Sequence, residues 1–126
     1  VNKVRSPHGG KIWKWIWILW LVLVCLLSLM PTGSSLNHNV FKWPHLDKVA
    51  HMIMYAVMSF TMMKFLIHRG ATQSVIYVLI FCIAWGIGIE LLQSTKIINR
   101  DFEIADIIAN IIGTFIGIGI TKFLKF

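Results

Sequence analysis

Apolar residues fall in four long blocks separated by short polar breaks, and this spacing fixes the architecture before any single residue is considered. A hydrocarbon core ~30 Å thick requires about 20 helical residues to cross it. Runs of that length lie at about residues 12–30, 46–67, 75–92 and 103–124. They are too long for ordinary strands and lack the strict two-residue alternation of a membrane barrel. The pattern predicts an all-α fold, a four-helix transmembrane bundle forming a single membrane domain over residues 1–126. No internal repeat or low-complexity tract interrupts it.

The blocks differ in polarity. The first is almost free of polar groups and closes on Pro31, Thr32, Gly33, Ser34 and Ser35, a strong helix breaker. Basic residues ahead of it invite comparison with a signal peptide, but the run is long for one and no A-x-A-like site follows, so an uncleaved anchor is expected. Trp13, Trp17 and Trp20 share a face, and Trp13 and Trp15 lie where an interfacial aromatic belt would sit. The second block is the most polar, with Asp47, Lys48, His51, Tyr55, Ser59 and Lys64, the last read as an interfacial residue that snorkels. The third ends with Glu90 and Gln93. The fourth carries Asp106 and Asn110, then Gly113 and Gly117 at the G-x-x-x-G spacing that lets helix backbones approach closely in lipid.

Composition agrees with the pattern: 57% of residues are hydrophobic and 13% charged, too little charge to cover the surface of a small soluble domain. The formal charge of +7 would suggest nucleic acid only if the cations clustered on a folded module. They flank apolar runs instead, so anionic headgroups are the expected partners and nucleic acid is not. Cys25 and Cys82 lie inside apolar runs and read as small buried hydrophobes without a disulfide.

Charge also predicts orientation. Eight Lys and Arg residues (Lys3, Arg5, Lys11, Lys14, Lys64, Arg69, Lys122, Lys125) fall on one side of the four-span topology and four (Lys42, Lys48, Lys96, Arg100) on the other. By the positive-inside rule the N- and C-termini are cytoplasmic. All five acids, Asp47, Glu90, Asp101, Glu103 and Asp106, then belong to the outer half.

Polar positions three or four apart share a helix face. Asp47, His51 and Tyr55 run down the second helix, Gly86, Glu90 and Gln93 down the third, and Asp106, Asn110, Gly113 and Gly117 down the fourth. The stripes start at one membrane face. An ionised group facing lipid costs roughly 2.5–3.5 kcal/mol at a helix centre and less near the interface. His51, Glu90, Arg100, Asp106 and Asn110 are therefore expected to pair between helices. The competing explanation is plain packing: Asp47, Asp101 and Glu103 complement helix dipoles, and Asn110 is an interhelical brace. Convergence of His51, Glu90 and Asp106 would permit a metal site in principle, but the chain has no H-x-x-x-H or C-x-x-C spacing, His38 and His45 have no matching partner and there is no nucleophile elbow, so neither a metal nor another cofactor is expected.

Three segments together resemble the VanZ-like family: Asp47-Lys48-Val49-Ala50-His51-Met52-Ile53-Met54-Tyr55, Glu90-Leu91-Leu92-Gln93, and Arg100-Asp101-Phe102-Glu103-Ile104-Ala105-Asp106 with Asn110 and Gly113. The resemblance covers roughly residues 47–117 and leaves the first helix without a signature. It implies a small multi-pass protein of the bacterial inner (cytoplasmic) membrane, in a family named for a member linked to resistance to the glycopeptide teicoplanin. The resulting expectation is a module that binds or handles a cell-envelope lipid or precursor headgroup through Asp47, Lys48, His51, Tyr55, Glu90, Gln93, Arg100, Asp106 and Asn110. Membrane lipids, an envelope-lipid precursor or a glycopeptide, and a membrane-protein partner are the candidate partners. The alternatives are a membrane-embedded enzyme using His51, Glu90 and Asp106 as acid and base on an envelope lipid, or a structural subunit of a membrane complex.

Overall fold

The computed structural model describes residues 7–28, 46–93 and 104–124. They form four helices: α1 (Pro7–Ser28), α2 (Leu46–His68), α3 (Ser74–Gln93) and α4 (Ile104–Leu124). Each has 20 to 23 residues, which at ~1.5 Å per residue gives roughly 30–35 Å, the reach of a bilayer core. All four are long and apolar enough to cross a membrane. No strand occurs among the described residues.

The boundaries match the hydropathy blocks at α2, α3 and α4, whereas α1 starts earlier, at Pro7. Proline in a first turn loses nothing, because the amide it lacks would have no intrahelical acceptor there. α2 ends on a Schellman motif. Gly70, at φ 77°, donates its amide to the Ile67 carbonyl at 3.0 Å, and Ala71 donates to Leu66 at 3.0 Å. The left-handed backbone at Gly70 reverses the chain into α3 within a few residues.

α2 and α4 pack most closely. A Cβ built at Gly113 would land on the Met52 carbonyl, and one at Gly117 on Ser59 Oγ and the Ala56 carbonyl. The G-x-x-x-G pair therefore lies directly against the α2 backbone. Thr114 and Thr121, on the same face, satisfy their hydroxyls by donating to the Asn110 and Gly117 carbonyls at 2.8 and 2.9 Å. Val24, Tyr55, Met58, Met62, Met63, Val78, Cys82 and Ile118 fill the space between helices.

α1 sits to one side. Only 6% of its apolar window is buried in the bundle. It contacts α2 and α3 and does not touch α4 among the described residues. Trp20 Nε1 donates to the Met54 carbonyl at 2.9 Å, and Trp17 stacks on Phe65 and meets Phe81 edge-on at 5.3 Å between centroids. At the end of the bundle where α2 finishes, Lys64 is buried with its Nζ 5.5 Å above the Trp13 ring. A cation over an indole face is held by the ring quadrupole, so Lys64 packs under Trp13 rather than extending freely to the interface.

Candidate functional site

Three helices bring ionisable side chains to the opposite end. α2 contributes Lys48 and His51 from its first two turns, α4 contributes Asp106 and Asn110 from its first two, and α3 contributes Glu90 from its last. Antiparallel packing makes these ends coincide, and the close α2–α4 approach at Gly113 sets the separation of the two polar stripes.

The α2–α4 contacts are explicit. Lys48 Nζ donates to Asp106 Oδ1 at 2.5 Å, a charge-assisted bond. His51 Nδ1 lies 3.0 Å from Asn110 Oδ1 in a buried hydrogen bond. Because a carbonyl oxygen can only accept, Nδ1 carries the proton. Nε2 is thereby turned toward Asp106 Oδ2, 3.9 Å away. Asp106 thus faces lysine with one oxygen and histidine with the other.

From α3, Glu90 enters the same space with no exposed surface at all, while His51 is 4% and Asp106 6% exposed. One donor atom from each of His51, Glu90 and Asp106 lies within 4.8 Å of the other two. Gly86, one turn before Glu90, makes this approach achievable: a Cβ there would sit 3.0 Å from Asn110 Nδ2 and 3.3 Å from Tyr55 Oη. Tyr55 is buried one turn deeper than His51, and its hydroxyl has no hydrogen-bond partner among the described residues.

Of the nine residues expected from the sequence, Lys48, His51, Tyr55, Glu90, Asp106 and Asn110 line this one region. Asp47 and Gln93 belong to α2 and α3, but their side chains lie outside the described residues, as does Arg100 altogether. One contributor was not named from the sequence, and another was named without its role. Thr114 holds the Asn110 carbonyl from one turn below, and the role of Gly86 as the clearance for Asn110 and Tyr55 depends on a helix azimuth that periodicity alone does not supply.

A groove of about 340 Å³ runs between α1 and α3, lined by Cys25, Trp85, Gly88, Ile89 and Leu92 among others. Gly88 and Glu90 are two residues apart and so point to opposite sides of α3. The groove is apolar and separate from the ionisable cluster.

Chemically, the cluster offers one ammonium, two carboxylates, an imidazole and an amide in a water-poor space. Such a set can orient a polar headgroup, hold a proton at His51, or ligate a cation. No curated protein and no solved structure matches the chain. A family model described as VanZ/LLP1 does match, over residues 9–125, reaching into all four helices and the whole described cluster. This span of nearly the full chain establishes that the protein is a member of the VanZ/LLP1 family.

Proposed function

We propose that the protein binds the headgroup of a cell-envelope lipid or lipid-linked precursor in the outward-facing half of a bacterial cytoplasmic membrane, through Lys48, His51, Glu90, Asp106 and Asn110. The observation that carries this reading is the convergence of buried ionisable groups from three separate helices. Helix packing alone is served by small residues and isolated hydrogen bonds, as at Gly113, Gly117, Thr114 and Thr121. A lysine, a histidine and two carboxylates, paired with one another at one end of the bundle, are more than helix packing requires, because each charge taken out of water carries a desolvation cost. The asymmetry of eight cations against four supports an outward orientation for that end.

Lys48 and Arg100 supply positive charge to a phosphate-bearing headgroup in this reading, Arg100 from the sequence alone. His51 and Asn110 supply hydrogen bonds. The test is lipid mass spectrometry on protein purified in mild detergent, comparing the native chain with Lys48→Ala, His51→Ala and Arg100→Ala. One lipid class should copurify with the native chain and be depleted in the variants, and unchanged lipid in variants that remain folded refutes the reading. Teicoplanin tolerance of cells expressing the same variants reports whether headgroup binding bears on glycopeptides.

A second reading follows from His51, whose ring is oriented through Nδ1 by the Asn110 side chain, as a general base is held by an acceptor on its other ring nitrogen. Turnover of the copurified lipid by native protein, absent in His51→Ala, separates an enzyme from a binding module.

A further inference from the structure

We infer that His51, Glu90 and Asp106 form a binding site for a divalent transition-metal ion of the zinc class. The sequence carries no metal-ligand spacing because the three donors come from three different helices, and only the fold brings them together.

Three observations carry the inference. The first is distance. Donor atoms of all three residues lie within 4.8 Å of one another. Bonds of ~2.0–2.1 Å in tetrahedral geometry separate ligands by about 3.3 Å, so rotamer adjustments of roughly 0.6 to 1.5 Å bring the set onto one ion. The second is burial from 0 to 6%, which removes the exposed, water-solvated acids that commonly cluster without any ion.

The third is the histidine tautomer. Asn110 Oδ1 accepts from Nδ1–H, which turns Nε2 toward Asp106 Oδ2 across 3.9 Å. That gap is too long for a hydrogen bond. A cation placed between the two atoms would be ligated by both. Metal-bound histidines are typically held in this manner, with the other ring nitrogen donating to an oxygen that fixes the ring. Asp106 is held likewise, Lys48 on Oδ1 leaving Oδ2 toward histidine.

One imidazole and two carboxylates suit Zn²⁺ or Mn²⁺ better than Ca²⁺, which prefers an all-oxygen shell. Three protein ligands leave a further position for an exogenous oxygen. The inference goes beyond headgroup binding and does not depend on it, since metal content and lipid content are separate measurements.

The experiment uses the full chain in detergent, stripped with chelator, equilibrated with Zn²⁺ and desalted, with metal measured by elemental analysis. The native protein should retain about one ion per chain, and His51→Gln, Glu90→Gln and Asp106→Asn at least about tenfold less. Asn110→Ala, which touches no metal, should weaken affinity by roughly 10–100-fold. Because a substitution can disturb folding, two measurements use the native chain alone: Zn²⁺ should raise its melting temperature, and Co²⁺ should give the visible absorption of a four-coordinate site. Retention by the native chain below about a tenth of an ion, or equal retention by all three folded ligand variants, overturns the inference. Loss of metal in Glu90→Gln with copurified lipid unchanged supports the metal site while counting against a shared role in headgroup binding.

Discussion

Adding one methyl group at Gly117 tests whether the α2–α4 contact sets the geometry of the polar cluster. An alanine Cβ there collides with Ser59 Oγ and, less avoidably, with the Ala56 carbonyl and the Phe60 amide at 3.0 Å, both of them backbone. Ser59 can rotate away, but the α2 backbone can yield only if the helices separate. Overpacking of this kind costs about 1–3 kcal/mol. Replacing glycine by alanine inside a helix returns about 0.5–1 kcal/mol. The difference spans roughly 0–2.5 kcal/mol, and contact with backbone rather than with a movable side chain puts the expected net loss in the upper half of that range. Gly119 is the internal control: two residues further along α4, it has nothing within 4 Å of a built Cβ, so Gly119→Ala should be neutral or stabilising by up to about 1 kcal/mol. Unfolding in mixed micelles, titrated with a denaturing detergent and followed by circular dichroism, measures both. Gly117→Ala should unfold at a lower detergent fraction than the native chain and Gly119→Ala at an equal or higher one. If Gly117→Ala is as stable as Gly119→Ala, the two helices are not held backbone to backbone and the placement of Asp106 against Lys48 loses its cause.

Further outcomes follow from named contacts. In a double-mutant cycle of Lys48→Met and Asp106→Asn, the coupling should be about 1 kcal/mol, within the range for polar pairs in membrane bundles, and additive single effects would contradict the ion pair. Trp20→Phe removes the donor to the Met54 carbonyl and should cost about 0.6–1 kcal/mol in the same detergent titration, with little effect on metal or lipid content because α1 lies outside the cluster. A fluorescent-protein fusion at the C-terminus should glow and a periplasmic phosphatase fusion there should stay inactive, as a cytoplasmic terminus requires; the reverse pair of results would invert the topology.

The four spans were legible because bilayer thickness imposes a length that hydropathy registers directly, and α2, α3 and α4 follow their blocks closely. The start of α1 was not, since apolar content says nothing about the polar turn at Pro7 that extends the helix outward. In the cluster, i, i+4 spacing correctly grouped His51 with Tyr55 and Asp106 with Asn110 on their own helices. Which stripe meets which depends on interhelical rotation, so the pairings Lys48–Asp106 and His51–Asn110 appear only in three dimensions. Glu90, expected from its stripe to pair between helices, is wholly enclosed, and the depth of that burial comes from Gly86, which lets α3 press against Tyr55 and Asn110.

The lateral position of α1 has an evolutionary corollary. A segment that does not contact α4 among the described residues, and that supplies none of the ionisable groups described in the cluster, can drift in sequence, constrained mainly by its length, its oiliness and a few indole and phenyl rings. Selection on whatever the cluster does would register in α2, α3 and α4. Homologues should accordingly be alignable through those three helices long after their leading spans have ceased to resemble one another.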